Sequence, residues 1–288
     1  MSTLRQRSPA SYVLALPSAL WMLGALVVPT LFIVWVSFWA TRTFSFASPL
    51  GVINYTKFFA RPAYVRLLID TVLQTLLLMA ITLVLGYSIA YFIVAKVRRP
   101  GLQLGLFLVL VVPFWTSALI RTIAWIPFLG VTGVINQALL FLRVVNEPVE
   151  AFLYSRTGIT LAQVSFYTLL ATGPVVYVLR NIPRSLPEAA QCLKAPPLRV
   201  FWRITVPLTL PGVLIGQILV FLNVMADFAT ASAIGGNKHA FLGNLVILLY
   251  DSGQLPFASV IAVLLMLCML GGVAVLLKVV DIRRLGVP

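Results

Sequence analysis

The sequence predicts an all-α integral membrane protein with six spanning helices. Hydrophobic residues make up 61% of the 288-residue chain and charged residues only 10%, with a mean hydropathy of +1.04. A soluble domain of this length needs far more charged surface. The apolar runs continue unbroken for about 20 residues, the length at which a helix spans about 30 Å of hydrocarbon, which favours helices over a barrel. The basic residues also gather in short loops between those runs.

Six spans follow in order: Tyr12 to Trp39, Leu67 to Ala95, Leu102 to Ile120, Ile159 to Leu179, Leu208 to Ala231 and Phe257 to Val280. The first is preceded by Arg5 and Arg7, but it is too long for a signal peptide and no small-residue cleavage site follows it, so it reads as a retained span. Thr122 to Phe141 is apolar enough for a seventh span. Pro127, Gly130, Gly133, Asn136 and Gln137 suit instead a broken or interfacial segment packed on the protein. An added crossing would also place the later basic loops outside. The chain divides into residues 1–66 (tail, first span and outer loop), a five-span core over 67–280, and a tail over 281–288.

Orientation rests on lysine and arginine. Arg5 and Arg7 precede span one, and Lys96, Arg98 and Arg99 crowd the turn after span two. Arg180, Arg184, Lys194, Arg199 and Arg203 lie between spans four and five, with Lys278, Arg283 and Arg284 at the end. These loops and both termini are assigned to the cytoplasm. Arg42, Lys57, Arg61 and Arg66 lie between spans one and two, so the bias is one of density.

The basic segment from Asn181 to Val206 is not needed to cross a bilayer. Pro187-Glu188-Ala189-Ala190 suits a helix start, with proline in the first turn and an acid near the positive end of the dipole. A break is expected before Pro196-Pro197, then a second short helix from Pro197 to Ile204, ending before Pro207. Two readings fit this pattern: a plug for a groove in a soluble partner, or an amphipathic loop in lipid headgroups.

Glu188, Ala189, Ala190, Leu193, Ala195, Phe201, Pro207, Pro211 and Gly212 resemble the EAA loop of importer permeases of the ATP-binding-cassette class. Lys194 stands where that family has glycine; a positive φ there would cost Lys what Gly avoids, unless Pro196-Pro197 makes the bend. Pro113-Phe114-Trp115-Thr116 and Leu119-Ile120-Arg121-Thr122 are similar to the third-span signature of spermidine/putrescine-type permeases. Asn54-Tyr55, the Gly133/Asn136 spacing and Ile234-Gly235-Gly236-Asn237 are similar to that branch too. The likeness runs from about Leu16 to Val273.

The resemblance implies the type I importer permease fold in a bacterial inner membrane, with the EAA-like loop at 181–207 as a cytoplasmic coupling element. It implies a second homologous permease, two ATPase subunits gripping Glu188, Ala189, Ala190, Leu193, Lys194, Ala195 and Phe201, and an external solute-binding protein. The implied solute is a polyamine or a related small molecule.

Among residues that can meet solute, Asp227 stands out. A central acid in a span costs about 2.5–3.5 kcal/mol on insertion scales, so it faces a cavity or a partner. It attracts a cation, pairs with a base, or bonds Asn223. Phe114, Trp115 and Arg121 are further pathway candidates, with interface belt and snorkelling as their plainer readings. Asp70, near the start of span two, reads as a helix cap. Cys192, Cys268 and the lone His239 give no disulfide framework, metal set or acid–base pair.

The chain has no phosphate-binding G-x-x-x-x-G-K-[ST] loop and no nucleophile–base constellation, so it reads as a transport subunit without enzymatic activity or cofactor. Its formal net charge of +14 follows from membrane orientation and anionic lipid, not from nucleic acid. A secondary transporter or channel is the competing class. It calls for inverted repeats and several intramembrane ionisable residues, and one mid-span acid falls short.

Overall fold

The computed structural model describes residues 9–41, 49–149, 152–183, 185–236 and 239–279. Arg5, Arg7, Arg42, Arg184, Asn237, Val280, Arg283 and Arg284, with the 281–288 tail, lie outside the described residues. Among those described there is no strand, only one antiparallel bridge pair, Trp39 with Leu50.

The first apolar run forms α1 (Pro9–Met22), a π-helical turn Leu23–Val27 and α2 (Val28–Ser37). The wider turn precedes Pro29, whose ring would otherwise press on the carbonyl four residues back. Past Trp39 the chain returns through α3 (Ile53–Ala60). Asn54 Nδ2 donates to Trp39 O at 2.8 Å, and the Ser37 and Tyr55 hydroxyls lie 2.7 Å apart. Val36, Trp39 and Phe58, all in the first unit (1–61 with 246–264), are buried.

The second unit comprises 62–245 and 265–288. It opens with α4 (Pro62–Tyr91), which ends in a π-helical turn Phe92–Lys96. Next come α5 (Pro100–Val111) with a 3₁₀ turn Val112–Trp115, then α6 (Ala118–Ala124), α7 (Ile126–Leu129) and α8 (Val134–Phe141). The long α9 (Arg156–Asn181) starts under Ser155, whose Oγ accepts from Gly158 N at 3.0 Å, a side-chain N-cap. α10 (Ser185–Cys192), α11 (Pro197–Val200), α12 (Val206–Met225) and α13 (Ala229–Gly235) follow. The chain continues through α14 (Leu242–Asp251) and α15 (Leu255–Val279).

Helices α4, α9 and α12 form the centre of this unit by very close approach. A Cβ on Gly216 would stand 2.8 Å from Ala171 O, and one on Gly212 2.7 Å from Pro174 O. From the other side, a Cβ on Gly86 would lie 3.1 Å from Ala171 Cβ. In lipid there is no hydrophobic drive between helices, so small residues that admit dense packing carry the association. Leu78, Ala171, Val220 and Val224 fill one buried layer, and Ala90, Val175, Val176 and Leu179 the next.

Six stretches are long and apolar enough to cross a membrane: Leu16–Ser37, Pro62–Lys96, Ala118–Phe141, Arg156–Asn181, Pro197–Met225 and Leu255–Lys278. Two expected boundaries are corrected. The run 102–120 is not one helix: it tightens around Pro113, which lacks an N–H, and ends where Thr116 and Ser117 are extended (ψ 150° and 144°). Pro100–Trp115 is thus a shorter apolar helix. By length and hydropathy Ala118–Phe141 takes the third place, although its backbone breaks at Gly130 and Gly133 (ψ 161° and 166°). Asn136 closes that break, donating to Gly130 O at 3.0 Å and Val149 O at 3.1 Å and accepting from Val149 N at 2.8 Å. Internal satisfaction of this kind is what irregular backbone at membrane depth requires. The other correction is to span five, which ends at Met225 and not at Ala231.

Candidate functional site

The EAA-like segment is built from two helical pieces. In α10, Glu188 sits in the first turn and its side chain is exposed. The helix closes with Ala195 N donating to Ala190 O at 3.1 Å across Lys194, whose φ is +56°. That is the Schellman ending, in which the residue past the helix takes the left-handed conformation and is usually glycine. Lys194 therefore occupies a glycine-type position, at a cost of about 1 kcal/mol. The bend begins there, before Pro196-Pro197. The second piece also differs from expectation. It does not stop before Pro207: α11 passes through a π-helical turn, Phe201–Thr205, directly into α12. That turn again holds the carbonyl four residues before a proline.

The segment thus forms the end of a spanning helix plus one short hinged helix. Phe201 anchors it, with ring centroids 5.8 Å from Tyr87, 5.2 Å from Tyr91 and 5.1 Å from Trp202. Leu193 is 85% exposed, and Leu198 and Trp202 are also exposed. Ala189 is exposed and Ala190 and Ala195 are half-buried.

Asp227 lies in the break between α12 and α13, half-buried. Its Oδ1 accepts from Thr230 N at 3.0 Å, capping α13. Its Oδ2 accepts from Gln163 Nε2 at 3.0 Å and from the Tyr167 hydroxyl at 2.9 Å. Gln163 is fully buried, and its Oε1 accepts from Gln74 Nε2 at 3.0 Å; Gln74 Nε2 also donates to Thr160 Oγ1 at 3.0 Å. Asn223 is not among the acid's partners; its side chain donates to Leu219 O at 2.9 Å. Among the described residues the one ion pair is Arg156 with Asp70 at 2.7 Å. Asp227 therefore has no basic partner among the described residues, and Asp70 pairs across to α9 where a helix cap was expected.

Arg121 comes from α6, next to Thr122, whose Oγ1 is 3.5 Å from that of Thr230. Its guanidinium lies 5.3 Å from the ring centroids of both Phe114 and Phe166. Phe114 and Arg121 are thus brought together, against Phe166 of α9. Trp115, 82% exposed, stands apart from this group. Sequence reasoning missed Gln74, Gln163 and Tyr167. The signal was available: amides and a phenol inside apolar spans are costly and mark function or packing.

Residues 100–283 match the family model described as "Binding-protein-dependent transport system inner membrane component". The chain belongs to this family. Relatives of this inner-membrane transport component include the spermidine/putrescine transport system permease protein PotB of Escherichia coli (strain K12), 33% identical over 227 residues, 78% of this chain and 81% of that one. The putative 2-aminoethylphosphonate transport system permease protein PhnU of Salmonella paratyphi A is 33% identical over 162 residues, covering 51% and 56%. In fold, the chain is similar to a chain in the crystal structure of a bacterial ABC transporter involved in the import of the acidic polysaccharide alginate, with a TM-score of 0.74, 15% identity and 96% of both chains covered. It is also similar to a chain in the crystal structure of a bacterial alginate ABC transporter in complex with alginate pentasaccharide-bound periplasmic protein, with a TM-score of 0.73, 15% identity and 92% and 91% of the two chains covered.

Proposed function

We propose that this permease works in an ATP-driven, binding-protein-dependent importer for polyamines or a related small amine-bearing solute. A second homologous permease completes the pathway, two ATPase subunits grip the 185–205 segment from the cytoplasm, and a periplasmic protein delivers the solute. Both termini lie in the cytoplasm. The observation that carries the proposal is the hinged α10 with exposed Glu188, Ala189 and Leu193, followed across the Lys194 bend by α11, which runs without interruption into a spanning helix. Movement of the ATPases then passes through α11 and the Phe201 cluster into α12 and α4. Lys57, Arg61 and Arg66 on the opposite side suit acidic patches of the delivery protein.

The solute class rests on the likeness to PotB and on Asp227. An inside-negative membrane favours cation entry by about 2.3 kcal/mol per charge per 100 mV. The pathway therefore needs only modest attraction of its own, and tight binding would slow release. One acid without a base partner meets that need. Copurification from a coexpressed operon, followed by solute screening on the delivery protein, tests the assembly and the solute together. Asp227→Asn should lower polyamine uptake roughly tenfold, equivalent to about 1.4 kcal/mol, with assembly and basal ATP hydrolysis retained. Unchanged uptake would remove Asp227 from the pathway, and failed assembly would reassign it to packing.

A further inference from the structure

The hydrogen bonds around Asp227 carry a statement about which cations it can hold, resting on the reading that Asp227 lines the solute path. A carboxylate offers about four acceptor positions, two on each oxygen. Oδ2 already accepts twice, from Gln163 Nε2 and the Tyr167 hydroxyl. Oδ1 accepts once, from Thr230 N. One position, on Oδ1, stays open on a half-buried side chain.

A guanidinium binds a carboxylate best as a fork, two parallel N–H bonds to the two oxygens, whereas an alkylammonium is a compact donor that needs one acceptor. We propose that Tyr167 and Gln163 are specificity-determining residues: by filling Oδ2 they leave Asp227 a one-point acceptor that takes alkylammonium groups and disfavours guanidinium groups. The protein's own guanidinium behaves accordingly. Arg121 neighbours Thr122, whose hydroxyl lies 3.5 Å from that of Thr230, the residue bonded to Asp227 Oδ1, yet it forms no ion pair with Asp227 and stacks on Phe114 and Phe166. Its Nε is buried with no hydrogen-bond partner. The filling of Oδ2 is itself well supported, because Gln163 is held by Gln74, so the donating amide cannot turn away without breaking a second bond.

The test compares two small cations as inhibitors of uptake by the assembled transporter in proteoliposomes: methylammonium and methylguanidinium. Any effect they have on the delivery protein is common to wild type and variants, and cancels in the comparison. Tyr167→Phe removes one oxygen, keeps the ring and opens one position on Oδ2. It should lower the inhibitory concentration of methylguanidinium relative to methylammonium by about tenfold. Gln163→Met opens the other position with the chain length kept, and should shift the ratio in the same direction; it serves if Tyr167→Phe assembles poorly. A ratio within about twofold of wild type in an assembled, transporting variant would overturn the assignment. Asp227→Asn separates the two levels. Loss of inhibition by both cations supports the acid as their contact, and unchanged inhibition by both would fell the pathway reading of Asp227 and this assignment with it.

Discussion

Glu188→Lys is expected to abolish capture of the ATPase subunits and ATP-driven uptake while leaving the permease in the membrane. Glu188 lies in the first turn of α10 with its side chain in solvent, so nothing in the fold depends on it. Reversal replaces a favourable acid at the positive end of the helix dipole with a base, costing about 0.3–1 kcal/mol locally. The larger effect is at the contact. A pair of complementary charges becomes a juxtaposition of like charges, which costs several kcal/mol in an interface. Pull-down of the ATPase should fall by more than about tenfold, with membrane content of the permease unchanged. Wild-type pull-down together with wild-type uptake would remove this segment from the coupling interface.

Gly216→Leu should prevent accumulation of the folded protein. The Cβ alone would stand 2.8 Å from the carbonyl oxygen of Ala171 and 3.3 Å from its Cα. The obstacle is backbone of α9, not the movable end of a side chain. Overpacking of this kind costs about 1–3 kcal/mol when neighbours can shift, and here α9 is held on its other flank by the Gly86 contact. Gly271→Leu is the matched control, because a Cβ there meets nothing within 4 Å. Immunoblots of membrane fractions should show a several-fold or greater loss for Gly216→Leu and near-normal content for Gly271→Leu. Equal amounts of the two would contradict the packing of α12 on α9.

The spanning helices were legible because length and hydropathy are local properties. α4 with its π-helical turn (Pro62–Lys96) and α9 extend only a few residues past the expected ends. The stretch 102–141 was harder to divide because a broken helix and a spanning helix share one composition. What distinguishes them is the closure of the Gly130–Gly133 break by Asn136, a contact across 13 residues to Val149. The glycine-type conformation at Lys194 was foreseeable as a question, and its φ of +56° answers it. The glutamines behind Asp227 are another matter. Gln74 and Gln163 are 89 residues apart in sequence, and no periodicity brings them together. Only the close approach of α4, α9 and α12 does so, and that in turn depends on where glycines meet.

The central claim is that the 185–205 segment lies in the cytoplasm and is covered by the ATPase. The native chain supplies its own probe, since Cys192 is exposed at the end of α10 and Cys268 is the only other cysteine. In a Cys268→Ser background, the decisive measurement is reaction of Cys192 with a membrane-impermeant maleimide. The account predicts no labelling in intact spheroplasts, ready labelling in inside-out vesicles holding the permease alone, and strong protection in vesicles once the ATPase subunits are bound. Labelling from the outer face, or labelling in vesicles that the ATPase leaves unchanged, would contradict it.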